Sequence, residues 1–158
     1  MTSPLFRRHR LPREAFRGAG MVLVTIVTRQ RGRILDCPEV AGPLVEALRG
    51  CLIHNTCRSP AYCFMPDHLH VLIQGIAESS DAWQAVVEFK QITAAGTCGA
   101  EPVAWQRGFD TRLLLTGVAT EAAAAYVSNN PVRAGLVEAW QDWAYSGSIW
   151  DDGPVAMR

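Results

Sequence analysis

The stretch MPDHLHVLIQG, residues 65–75, decides how this chain folds. Its apolar residues Leu69 to Ile73 read as a strand, and YCFM at 62–65 reads as another. Pro66 and Asp67 stand between the two runs and suit a tight turn or a bulge, because proline cannot donate to a ladder. Alternate residues of a strand project from one face, so His68 and His70 point one way and Leu69 points the other, toward a core. Two imidazoles on one face can converge on one ion, and the chain has only four histidines. The plainer reading is a pair of neutral histidines on a half-wet sheet face. Asp67, next to His68, faces away from the pair if the strand is regular.

Outward from this hairpin, MVLVTIVT at 21–28 is β-branched and apolar between Gly20 and Arg29, the mark of a buried strand. Asp36 is the cap of a helix that opens through Pro38 and carries Val40, Leu44, Val45 and Leu48 at helical spacing. Pro43 confines its regular part to the C-terminal half, and Gly50 ends it. Ser79, Ser80 and Asp81 offer caps for a second helix, with Trp83, Val86, Val87 and Lys90 on one stripe, running to about Gly96. Trp105 to Leu115 reads as a further strand. Thr116 or Thr120 starts an alanine-rich helix through Tyr126, which cannot continue unperturbed past Asn130-Pro131, and PVRAG follows as a short turn. This order is that of an α+β sandwich, an antiparallel sheet with helices mainly on one face, and there is no internal repeat.

A length of 158 residues with 49% hydrophobic and 19% charged content fits a single domain over residues 1–158. Fifteen basic residues balance fifteen acidic ones, which argues against a protein that holds nucleic acid through bulk positive charge. The distribution is uneven, however: residues 1–33 hold eight arginines against the single acid Glu14. The first 19 residues or so, punctuated by Pro12 and Gly18, read as an irregular basic arm, or equally as a disordered tail. Lys90 is the only lysine, and an arginine-rich set suits bidentate phosphate contacts, although the base composition of a GC-rich genome would produce the same bias. Five cysteines, an odd number never spaced C-x-x-C, read as reduced thiols of a cytoplasmic protein. The apolar run at 21–27 is too short to span a bilayer, so no membrane partner is expected.

Tyr126 and Asn130 lie four residues apart on a helix, which sets their side chains on one face, one turn apart. A phenol is a poor nucleophile until a cation or base stabilises the phenolate, and an oxygen donor beside two histidines suits a divalent metal. Taken alone, Tyr126 reads as a core aromatic and Asn130 as a helix cap.

Together, the H-L-H of MPDHLHVLIQG, the FK of VVEFKQ, WQRGF at 105–109 and above all YVSNNPVRAGLV resemble the single-tyrosine HUH transposases, especially the branch associated with repetitive extragenic palindromes. The resemblance runs from about His9 to about Ser146, and RLPREAF before the first strand is similar to the family's opening. It implies a ferredoxin-like or RRM-like core that binds single-stranded or hairpin DNA and cleaves it by tyrosine attack on a phosphodiester. Carried over by position, Tyr126 is the nucleophile, His68 and His70 are metal ligands, and Asn130 is the third polar ligand. The metal implied is Mg²⁺ or Mn²⁺. Phosphate contacts are expected from the N-terminal arginines Arg7, Arg8, Arg10 and Arg17, and from Lys90, Arg107 and Arg133. Phe109-Asp110-Thr111-Arg112 looks one residue shorter than the family pattern, and Ser128 stands where a larger apolar residue is usual. Two other readings compete: a non-catalytic single-strand binder with Tyr62, Phe64 and Phe109 as stacking aromatics, and a metal-dependent hydrolase, which needs a further carboxylate or histidine beside the pair. Sequence leaves the choice between monomer and homodimer open.

Overall fold

In the computed structural model, which describes residues 5–8, 11–96, 99–115, 117–150 and 156–157 (side chains of 7, 8, 156 and 157 excepted), the expected hairpin is the centre of the sheet. Strands β3 (Cys57–Met65) and β4 (His68–Gly75) pair antiparallel from Cys57↔Gly75 to Met65↔His68, with only Pro66 and Asp67 between them. β2 (Met21–Val27) lies along the other side of β4, with Thr25 opposite His70. β5 (Asp110–Leu114) pairs with β2, and β1 (Phe6–Arg8) pairs with β5. Beyond β3 come β6 (Ser146–Ile149) and β7 (Ala156–Met157), giving the order β1-β5-β2-β4-β3-β6-β7, antiparallel throughout.

The period-2 alternation divides the apolar residues between two cores. Val22, Val24, Ile26, Tyr62, Phe64, Leu69, Val71 and Ile73 pack under the two long helices, α1 (Pro38–His54) and α2 (Ala82–Ala95). Leu23, Ala61, Cys63, Met65 and Leu72 face the other side, against Ala123 and Val127 of α3 (Thr120–Ser128), with Phe6 and Trp143. The α+β sandwich is therefore as expected, with its long helices on one face and the short α3 on the second. His68 and His70, out of phase with Leu69 and Val71, lie on the α3 face.

Several local expectations are corrected. α1 is capped by Cys37 rather than Asp36, and Pro43 does not break it, since so near the start it removes only one helical hydrogen bond. Gly50 does not stop the helix either: buried Cys51 and Leu52 hold the last turn, and the Asn55 carboxamide donates to the Cys51 carbonyl. The run from Trp105 yields a strand only from Asp110, because Trp105 turns inward, its Nε1 donating to Thr93 Oγ1 at 2.8 Å. α2 does follow the sequence: Asp81 Oδ1 accepts from the Gln84 amide at 3.0 Å, and Gly96 closes the helix in the left-handed conformation that favours glycine. PVRAG begins inside a four-residue helix, α4 (Asn130–Arg133).

Among the described residues the N-terminal segment is partly regular rather than an irregular arm. Beyond β1, Arg13–Phe16 forms a 3₁₀ turn whose Phe16 ring is buried against Trp83, centroids 5.1 Å apart. Arg13 clamps Asp81 with two bonds of 2.8 and 2.7 Å. Among the described residues no helix is long and apolar enough to cross a membrane.

Candidate active site

Cross-strand pairing sets Asp110, Thr25, His70, Cys63 and Ser146 in one row across five strands, all facing α3. His68 lies two residues along, at the end of β4. The two imidazoles meet edge to face, and their Nε2 atoms are 3.1 Å apart. Two donors at right angles on an ion about 2.1 Å away stand about 3 Å apart, so the pair already has the spacing of two ligands on one metal. Each ring is anchored at its other nitrogen: His68 Nδ1 to Asp67 Oδ1 at 2.6 Å, and His70 Nδ1 to Thr25 Oγ1 at 3.0 Å. Such outer partners orient metal-binding histidines and raise their basicity. Burial, then the charges of His68, Arg112 and Arg133, push the His70 pKa down to about 3, so its ring is neutral and has a lone pair to give. Burial opposes ionisation of Asp67, but hydrogen bonds and charge from His68 and Arg31 outweigh it and hold that carboxyl below its ordinary range.

Tyr126 sits half-buried on α3, over the same sheet face. Its ring packs on Phe6, centroids 5.4 Å apart, and the Arg133 guanidinium lies 4.7 Å from the ring centroid. The backbone runs on in right-handed helical conformation from α3 through Asn129 into α4, so Arg133, seven residues on from Tyr126, lies beside its ring, and its charge reaches His70. Asn130 opens α4, and its Nδ2 donates to the carbonyls of Tyr126 (3.3 Å) and Val127 (3.0 Å). Because both neighbours are acceptors, the amide orientation is fixed and Oδ1 is turned away from them. The carboxamide thus caps α3 with one atom and keeps the other as a donor oxygen.

The remaining expected contacts are scattered. Arg17, exposed, stands 4.0 Å from Asp81 at the Gly75 end of β4, the far end from His68. Lys90 donates to the carbonyls of Gln106 (2.8 Å) and Gly108 (2.5 Å) and so staples a loop. Burial lowers its pKa. Arg107 is exposed on that loop and, with Arg29, lines an open groove of about 780 Å³ beside α2. Arg10 and the side chains of Arg7 and Arg8 lie outside the described residues. A smaller cleft of about 210 Å³ opens beside His68, between Met65, Pro66 and Asp67 on one side and Arg33, Ala134 and Leu136 on the other.

Sequence reasoning missed Asp67, Thr25 and Arg112. Asp67 was expected to face away, but it sits in the turn, where strand alternation does not hold. Thr25 lies one strand and Arg112 two strands from His70, and only the strand pairing brings them to it. Among the described residues no group of three His, Cys, Asp or Glu is placed to hold a metal ion. Tyr62 and Phe64 are fully buried beneath α1 and α2, and the opposite face is covered by α3, so neither aromatic can serve as an open stacking platform.

No family model matches the chain. It is 26% identical over 147 residues to a Haemophilus influenzae protein described as a REP-associated tyrosine transposase, across 85% of this chain and 82% of the relative. Its fold is similar to that of a solved REP-associated tyrosine transposase bound to a REP hairpin, with a TM-score of 0.69 and 21% identity over 92% of this chain and 82% of the other. The likeness read from the motifs is thus met by both comparisons, and the α+β fold is shared with the solved structure.

Proposed function

We propose that this chain is a divalent-metal-dependent DNA endonuclease and strand transferase of the REP-associated tyrosine type, acting on hairpin DNA through a 5′-phosphotyrosine. The observation that carries the reading is the convergence of His68 and His70 Nε2 at 3.1 Å on the sheet face that the helix of Tyr126 packs against. The similarity to a relative described as a REP-associated tyrosine transposase supports the substrate class.

His68, His70 and Asn130 Oδ1 would hold the metal. Two imidazole nitrogens and one amide oxygen suit Mn²⁺ better than Mg²⁺, which prefers an all-oxygen shell. A metal bound there polarises the scissile phosphate and helps hold it in line. Tyr126 Oη attacks phosphorus, an O–P bond forms, and the bond to the 3′ oxygen breaks. The phenolic proton passes to solvent and the departing oxygen takes one up, so one ester replaces another and no oxidant or energy source is needed. Arg133, over the Tyr126 ring, brings positive charge toward the negative charge that gathers on phosphate. Arg112 adds positive charge from the strand face.

The test is incubation of labelled single-stranded hairpin DNA with the protein and Mn²⁺, followed by a denaturing gel. A covalent adduct is expected with the wild type and none with Tyr126→Phe, which should still bind the hairpin within a few fold. Adduct from the Phe variant would assign the nucleophile elsewhere. Hairpin binding without adduct in any metal would leave the non-catalytic binder.

A further inference from the structure

Asp67 occupies the two-residue turn between β3 and β4, and its two oxygens are both engaged. Oδ1 is 2.6 Å from His68 Nδ1, and Oδ2 is 3.3 Å from an Arg31 guanidinium nitrogen. A carboxylate has no proton to give, so the first bond requires a proton on His68 Nδ1, and the tautomer that carries its single proton there has its lone pair on Nε2. His70 Nε2, 3.1 Å away, then donates to that lone pair in the metal-free protein. Its own Nδ1 accepts from the Thr25 hydroxyl. The four groups form one directed chain of hydrogen bonds, and its direction is set at the carboxylate end.

A metal held at the two Nε2 atoms would require a change of tautomer at His70 alone. His70 must present a lone pair at Nε2, so the proton released there is matched by one taken up at Nδ1. Thr25 can accept as readily as it donates and tolerates both tautomers. Asp67 has no such freedom, and its anchorage is firm on the other side as well. The turn at Arg29–Arg31 carries Gln30 and Arg31 at φ 56 and 51, a left-handed backbone that non-glycine residues adopt only when held there. The neighbouring Thr28 does the holding: its amide donates to the Asp67 carbonyl at 3.0 Å and its hydroxyl is shared between that carbonyl and Gly32. The Arg29 amide ties the same turn to the Ala104 carbonyl at 2.7 Å.

From this geometry we propose that Asp67, held in its turn by the Thr28 contacts and paired with Arg31, is a positioning residue that fixes His68 in the Nδ1-protonated tautomer with its lone pair aimed at the metal position. The inference rests on the reading of His68 and His70 as metal ligands.

Two measurements on the full chain without DNA test it. Mn²⁺ titration followed by electron paramagnetic resonance should show binding weakened about 10- to 100-fold in Asp67→Ala, and several-fold in Asp67→Asn, whose amide oxygen still accepts. The ¹⁵N shifts of His68 in metal-free protein should report the Nδ1–H tautomer in the wild type and a mixture in Asp67→Ala. The backbone bonds from Thr28 survive either change, and thermal melting verifies folding. If Asp67→Ala does not fold, Asp67→Asn and Arg31→Gln decide by the same titration. Wild-type Mn²⁺ affinity in the Asp67 and Arg31 variants, with affinity lost in His68→Ala and His70→Ala, overturns the inference alone. Wild-type affinity in the histidine variants too overturns the metal reading and the inference with it.

Discussion

Tyr62 shows how firmly the interior separates one tyrosine from another. Its side chain is fully buried, and its hydroxyl has no hydrogen-bond partner among the described residues. Burial, with the charges of Glu46 and Cys63, drives its pKa far above the ordinary tyrosine range, which removes it as a nucleophile. An orphaned hydroxyl is a cost, so Tyr62→Phe should raise stability by about 1 kcal/mol in urea denaturation and leave adduct formation unchanged. A loss of stability would mean that the hydroxyl has a partner such as a bound water. Tyr126 differs by being half-buried beside Arg133. At this scale the sequence reveals the histidine pair, because period-2 alternation applies wherever a strand is regular, and it places Tyr126 and Asn130 on one helical face. It does not reveal Asp67, since the proline turn suspends the alternation on which the expectation for that residue depended. Nor can it tell that the Asn130 amide serves the helix with nitrogen while its oxygen stays available.

Among the elements, α2 has the clearest sequence signature, and its cap does more than end a helix. Asp81 accepts the Gln84 amide and both arms of Arg13, so one carboxylate starts α2 and fastens the N-terminal turn to it. The hydrogen bonds of Arg13 are the main reason that its pKa lies below the ordinary value; burial opposes the shift, and the Gln84 amide and the charges of Arg13 and Arg17 add to it. A carboxyl depressed in the folded state contributes stability that is present above about pH 4, its unfolded pKa, and is lost as pH falls through the folded value. Asp81→Ala should therefore cost about 1–2 kcal/mol at pH 7, and Asp81→Asn less because asparagine still caps. In denaturant melts the gap between wild type and Asp81→Ala should narrow below pH 4; a constant gap would show that the cap matters and the ion pair does not. Strands β1 and β6 have no such signature. They are three and four residues long, β6 reads SGSI, and they form because β5 and β3 present unpaired edges that no local pattern announces.

For the whole molecule, the basic N-terminus is legible as charge but not as structure. Phe6 and Phe16 are 6% and 3% exposed, so residues 1–17 carry part of both cores. Their deletion should lower stability by several kcal/mol, at about 2–3 for each buried aromatic, and would confound any change in DNA affinity. Replacing Arg7, Arg8, Arg10 and Arg17 by glutamine separates the two effects. The prediction is a shallower dependence of log K on log salt for hairpin binding with little change in melting temperature; an unchanged slope would assign the phosphate contacts to other residues, such as Arg107 and Arg133. The sheet itself divides the interior unequally. Two long helices bury large side chains on one face, whereas α3 rests on the other through Ala123 and Val127. Such a footing leads to a hierarchy of opening. In deuterium exchange, amides of residues 123–128 should exchange well before those of 69–73, so the segment bearing Tyr126 would lift and reseat many times during the life of a closed larger core.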